Sequence, residues 1–195
     1  MTNSQERGLV EALATALNNE ARAEPPASFP RDPTVASHPG LYSWWADEAA
    51  RSTITAQLGI AVRPLIYAGQ AGATRWPSGA TSHATLGSRI RGNHIRGNAS
   101  SSTFRLTLSA LLLEPMGFVV AKPGRLHLED NRRVSDWIRA HLRVAIVPHD
   151  DRDSLGRLES QVLDLLDPPL NLEGRPTIAS RTQLRGLRKR ITSPA

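Results

Sequence analysis

The chain of 195 residues contains no cysteine. That excludes disulfides, thiolate metal sites and cysteine nucleophiles, and it fits a reducing, cytoplasmic setting. Lysine is nearly absent: of 24 basic residues only Lys122 and Lys189 are lysines. Neither ends a GK[ST] phosphate loop and neither stands in a Glu-x-Lys triplet, which argues against a Walker-type site and a restriction-type ExK core. There is no GxGxxG, and no HxxxH or HExxH pair to hold a metal on one helix face. No apolar run approaches the roughly 20 residues that cross a bilayer. The opening stretch MTNSQERGLVEALATALNNEARAE carries acids and no apolar core segment, so neither a signal peptide nor a membrane partner is expected.

What the chain does have is arginine. The basic total less the two lysines leaves 22 arginines, and the net charge is +6 with a pI near 10.9. The planar guanidinium grips phosphate through a fork of donors. A basic balance of this kind points to a nucleic-acid partner, DNA in the reading developed below, although codon bias in a GC-rich genome gives the same composition.

A helix is expected over 4–22, with Leu9, Leu13 and Leu17 on one face. AEPPASFPRDP then breaks regularity, which places a linker at about 23–39. GLYSWW (40–45), RPLIYAG (63–69) and LRVAIVP (142–148) read as strands. Between the first two lies either a short helix or a long hairpin insertion. Helices are expected over 82–94, where Gly87 and Gly92 weaken the case, over 100–114, where Phe104, Leu108, Leu111 and Leu112 share a face, over 130–141 and over 153–166. A basic helix follows at about 180–191. The chain thus divides into an N-terminal helix and linker (1–35), a mixed α and β domain (36–175) and a basic helix (176–195).

Two charged residues sit where charge is not expected. In the helix 155–166, Leu155, Leu158, Val162, Leu163, Leu165 and Leu166 fall in one arc of about 160°, and Glu159 falls inside it. A carboxylate on an apolar face is costly unless a cation answers it, or unless it reaches out along the edge of the face. Arg89 shares an arc with Leu86, Ile90 and Asn93; it is either an anion-facing group or a surface arginine with a packed stem. GQAG, after the second strand, is a bare GxxG and reads as a turn.

In order, these pieces resemble the GIY-YIG nuclease family. The carriers are Gly40-Leu41-Tyr42, Tyr67-Ala68-Gly69 on the next strand, Arg89 in LGSRI, Glu159, and Asn171 in PPLN, twelve residues after Glu159. The resemblance covers about 40–172. It implies an α+β fold, a small three-stranded antiparallel sheet flanked by helices, here with helical N- and C-terminal extensions. It also implies metal-dependent hydrolysis of DNA phosphodiester bonds. Glu159 would hold a divalent metal, Mg²⁺, and Arg89 would stabilise charge in the transition state. Tyr42 or Tyr67 would help deprotonate the attacking water, and Asn171 would fix the metal or the backbone beside it. Gly69 would let the backbone leave the strand beside the site. Leu41 and Ala68 replace the isoleucines of the family name, and Gln70 and Ala71 stand where a lysine is common. Asn93 occupies the place of a frequent His or Tyr, with His94 one residue later; a helix distortion at Gly92 would bring His94 in.

Other groups are assigned by default. HDDRD (149–153) is a solvated loop with Asp153 capping the next helix, His141 a core histidine, and Trp44 and Trp45 packing residues. Arg91, Arg96, Arg105, Arg185, Arg188 and Arg190 are the candidates for DNA-backbone contact, with SSTFR (101–105) either a phosphate cradle or a simple cap. Specificity would come from the 46–62 and 115–135 insertions or from a homodimer, an arrangement nearer the restriction branch of the family. The alternative of a different class is a catalytically silent nucleic-acid-binding module on the same fold. Convergence of Tyr42, Tyr67, Arg89 and Glu159 on one pocket separates the two.

Overall fold

The computed structural model describes residues 3–193; residues 1–2 and 194–195, the outer ends of the first and last segments above, lie outside the described residues. At its centre is a three-stranded antiparallel sheet of β1 (Gly40–Ala46), β2 (Leu65–Ala71) and β5 (Leu142–Pro148), in the order β2–β1–β5. Every residue of β1 is buried, because helices cover both faces of this middle strand. Alternation still decides which residues meet. Tyr42 lies opposite Gly69 and Trp44 opposite Tyr67, so these four share one face. Leu41 shares the other with Val147.

The Leu41 face is covered by α1 (Asn3–Leu17) and α6 (Arg152–Leu166), where Val10, Leu13 and Leu17 pack with Leu155, Leu158 and Val162. The predicted 4–22 helix therefore stops at Leu17, and a 3₁₀ turn, Glu20–Arg22, follows Asn19. Leu165, placed on the apolar arc of α6, is instead 57% exposed in the helix's last turn. The Tyr42 face is covered by a π-helical segment, Ser88–Ile95, and by α4 (Thr103–Leu112). Around α4 stand α5 (Leu128–His141) and α7 (Ala179–Thr192). Phe104 to Leu112 are consequently all buried; α4 has no solvent face, where one apolar face was expected.

The segment between β1 and β2 is a helix, α3 (Glu48–Leu58), capped by Asp47 and ended by Gly59. A short helix α2 (Pro33–Ala36) precedes β1, and a small hairpin of β3 (Val120–Lys122) and β4 (Arg125–Leu126) precedes α5.

Both edges of the sheet are covered, which hides backbone groups that would otherwise pair with another chain. On the β5 edge Glu24 exchanges two backbone hydrogen bonds of 2.9 Å with Val144, and Arg143 reaches Ala23 O. The proline-rich stretch is thus docked along its first residues. The C-terminal helix is docked too: Leu184 and Ile191 are fully buried. Asp151, not Asp153, caps α6, because Asp153 is taken by Thr74 Oγ1 at 2.6 Å. His141 is half-buried rather than core, its Nδ1 3.0 Å from Asp47 Oδ2.

Candidate active site

The site is built on the outer edge of β2. Along an edge strand, alternate residues point their backbone groups outward and must find partners. Ile66 O accepts from Leu170 N at 3.0 Å. At Ala68, the Asn171 amide takes both groups: Oδ1 accepts from Ala68 N at 3.0 Å and Nδ2 donates to Ala68 O at 2.8 Å. Two residues on, the backbone N–H of Gln70 donates to the Glu159 carboxylate. Glu159 and Asn171 therefore occupy successive outward positions of one strand. Asn171 is buried, and both ends of its amide pair with Ala68, so it braces the backbone of β2 beside the site.

The two glycines of YAGQAG do different work. A Cβ on Gly69 would sit 2.7 Å from Tyr42 Oη and 2.9 Å from Cζ, so the bare α-carbon makes room for the Tyr42 ring. Gly69 does not end the strand, which runs on to Ala71; the exit turn falls at Gly72, with φ of +98°.

Arg89 and His94 share a face because the segment that carries them is π-helical. Its hydrogen bonds run i to i+5, as from Arg96 N to Arg91 O at 3.0 Å, and residues five apart then stack. The α-helical arc that paired Arg89 with Asn93 is replaced by one that pairs it with His94. The wider turn lets His94 and Ile95 both be buried; a Cβ on Gly92 would meet nothing within 4 Å, so the distortion does not need the glycine for room.

His94 is held from both sides. Nε2 is 2.8 Å from Tyr42 Oη, and Nδ1 is 2.9 Å from Ser102 Oγ. Ser102 is the cap of α4 and accepts from Arg105 N at 3.0 Å. The network is satisfied when Nδ1–H donates to Ser102 and Tyr42 O–H donates to Nε2. Burial, and then the charges of Arg89 and Arg105, hold His94 well below the usual histidine range. It is neutral at neutral pH, with its lone pair towards Tyr42. Burial likewise pushes the Tyr42 phenol well above its ordinary range, and Tyr67 adds to this. Tyr67 is also raised by burial, and its hydroxyl lies 3.2 Å from Thr103 Oγ1.

Arg105 does not reach DNA. It is fully buried, and its guanidinium donates to His94 O (2.8 Å), Ile95 O (2.9 Å), Asn131 O (2.6 Å) and Ser135 Oγ (2.9 Å). The reason is its place in the first turn of a helix buried on every side. With no carboxylate at hand, burial lowers it to about 10. Its role is to bind the end of the π-helical segment to α5, which fixes His94.

Tyr42, Tyr67, Arg89, His94 and Glu159 line one pocket of about 460 Å³, with Gln70, Ser102 and Thr103. Among the described residues Arg89 pairs with no carboxylate, and its Nε is buried without a hydrogen-bond partner. Burial raises Glu159 from 4.5 to about 7; Glu173 pushes the same way, and Arg89 and the Gln70 N–H pull against it. Glu173 is the residue that sequence reasoning missed. It lies two residues past Asn171 and has no periodic context, so only its position at the pocket reveals it.

No group of three or more His, Asp or Glu able to hold a metal occurs among the described residues. The donor set nevertheless suits a hard divalent cation that keeps most of its waters: one half-buried carboxylate raised by its surroundings, with a second close enough to feel it.

The pocket opens into a cleft of about 850 Å³ with Tyr67, Glu159, Glu173, Arg185, Arg188 and Lys189 on its walls. Burial lowers Arg188. Arg190 lies elsewhere, paired with Glu114 at 2.8 Å, and Arg91 and Arg96 are exposed on the π-helical segment. No helix among the described residues is long and apolar enough to cross a membrane.

A family model, that of the GIY-YIG catalytic domain, matches residues 40–190. Among curated proteins and among solved structures, none matches the chain.

Proposed function

The chain belongs to the GIY-YIG family, whose nucleases cut DNA, and on that premise we propose that it is a DNA endonuclease that hydrolyses phosphodiester bonds with a divalent cation, Mg²⁺, at Glu159. The observation that carries this reading is the convergence of Tyr42, Tyr67, Arg89 and Glu159 on one pocket, with a neutral histidine against Tyr42.

The residues divide the work as follows. Arg89, whose buried Nε has no protein partner, binds the scissile phosphate and meets the charge that grows on its oxygens. Tyr42 accepts a proton from the attacking water as the new O–P bond forms and the bond to the leaving oxygen breaks. Because burial disfavours a standing phenolate, Tyr42 gives its own proton to His94 Nε2 in the same motion. Ser102 and Arg105 keep that imidazole in the accepting tautomer. Tyr67, bonded to Thr103, forms the floor shared by pocket and cleft. Glu159, with Glu173 beside it, would hold the cation, which when bound neutralises charge on the phosphate and the leaving oxygen. The cleft along α7 gives the strand a basic path through Arg185 and Arg188.

The test is nicking of supercoiled plasmid by the full chain with Mg²⁺ and with EDTA. Cleavage with Mg²⁺ that is lost in EDTA and in Glu159→Ala is expected. Salt-sensitive DNA binding by a folded protein that never cleaves would replace this reading with that of a silent binding module.

A further inference from the structure

The excursion between β2 and the π-helical segment has no part in the pocket chemistry, yet it is tightly built. Its tip, residues 75–80, is closed by Arg75 N to Ala80 O (2.9 Å) and Ser78 Oγ to Arg75 O (2.9 Å). Its base is gathered by one arginine. Arg152 Nη1 donates to Gly72 O (2.9 Å) on the outgoing leg, and to Ser82 O (2.6 Å) and Ala84 O (3.2 Å) on the returning one. Thr74 adds bonds to Arg152 O and Asp153 Oδ1. On this fixed tip Trp76 is 66% exposed, whereas Trp44, Trp45 and Trp137 are 0%, 6% and 8% exposed.

The segment's own charge and its lone exposed ring point to the kind of partner it fits. No acidic residue lies between Glu48 and Glu114, while Arg75, Arg89, Arg91 and Arg96 all do. Trp76 is also the one large exposed hydrophobic residue from Arg63 to Phe118 among the described residues. Trp76 is an isolated aromatic beside Arg75 on a segment with no acid of its own, the neighbouring carboxylate Asp153 being bonded to Thr74 at the base; it lacks the contiguous apolar area of a protein interface core. It has what a nucleic-acid surface uses: cations for the phosphates and a flat ring for a base.

The excursion also stands beside the reacting groups. It leaves the pocket wall at Gln70, whose Oε1 accepts from Ala73 N at 3.0 Å. Arg152 and Glu159 are seven residues apart on α6, about 10 Å along the helix axis. The excursion's anchor is therefore roughly three nucleotide steps from Glu159, at about 3.4 Å per step.

We propose that the 75–80 hairpin is a base-reading wedge, with Trp76 stacking on a DNA base near the scissile phosphate. The proposal rests on DNA being the substrate, as argued above. A pinned tip presents the ring with little left to order on binding.

The test uses the full chain in EDTA, so that DNA is bound and not cut, with a short dye-labelled duplex as the probe. Binding is read by anisotropy and the tip by acrylamide quenching of tryptophan emission, which samples Trp76 selectively because the other three are buried. DNA is expected to shield Trp76 from acrylamide. Trp76→Ala is expected to weaken binding about 10- to 100-fold while leaving the salt slope unchanged, since a base contact is lost and no phosphate contact is. Trp76→Phe keeps a ring and should retain most of the affinity. Melting curves check that both variants fold, as an exposed position allows. Tight binding with Trp76 equally quenchable in free and bound protein, or unchanged affinity in Trp76→Ala, would overturn the wedge and leave the nuclease reading standing. No salt-sensitive binding of the duplex by the wild-type protein would overturn both.

Discussion

Glu159 should make the metal-free protein less stable than it need be, and Glu159→Gln should reveal by how much. In the fold its carboxyl is raised from 4.5 to about 7, chiefly by burial. Below pH 4.5 both folded and unfolded chains hold the proton, and the residue costs nothing. Between 4.5 and about 7 the unfolded chain ionises first, so stability falls as pH rises. Above about 7 the full penalty is present, roughly 3 kcal/mol from 1.36 kcal/mol per pH unit. Glutamine keeps the shape and an acceptor for the Gln70 N–H but carries no charge. Measured by urea unfolding in EDTA, the variant should match the wild type near pH 4.5 and exceed it by up to about 3 kcal/mol at pH 8. In Tm that is roughly 6–12 °C for a chain of this size. Comparing the two proteins at each pH removes the contributions of every other titrating group. Mg²⁺ should raise the wild-type Tm and leave the variant's unchanged, because only the carboxylate gains from the cation. Cleavage should be lost in the more stable protein, the usual trade at a site kept for chemistry. Equal stability of the two proteins from pH 4.5 to 8 would refute the claim that loss of water around Glu159 holds its carboxyl above the ordinary range.

Arg89→Ala should slow cleavage at least ~100-fold, the scale for removing one preorganised charge stabiliser, and Arg89→Lys should recover little, since the fork is lost; full activity of the lysine variant in the plasmid assay would mean that a point charge suffices. The His94 ring carbon should titrate by NMR with a midpoint below 6.5, and stability should drop as pH falls below 6.5, because the unfolded chain takes that proton first; a midpoint at or above 6.5 would remove it as a neutral acceptor. Arg105→Met should cost about 3–5 kcal/mol in denaturant unfolding, since His94 O, Ile95 O and Asn131 O lose their buried donor; a near-neutral effect would show that the carbonyls find other partners.

Local pattern was enough for much of this. Alternation and glycine placement marked all three strands of the sheet, and 3.6-residue periodicity marked α6 and exposed Glu159 as a carboxylate on an apolar arc. The twelve-residue interval from Glu159 to Asn171 was legible as well. What it does became clear only on the sheet, where the two residues serve Gln70 and Ala68 along one outer edge. Periodicity assumes one pitch, so it put Asn93 beside Arg89; the π-helical turn, stabilised by Arg105 from another helix, put His94 there instead. Arg105 and Trp76 looked like a phosphate contact and an unremarked aromatic. Packing on every side of α4 buried the first, and an arginine clasp held the second in solvent. The physical reason is the same each time. A sequence fixes which face of its own element a side chain takes, through short-range geometry. Whether that face meets a core, a strand edge or solvent depends on elements far along the chain, and those contacts alone decide the charge, partner and reach of the group.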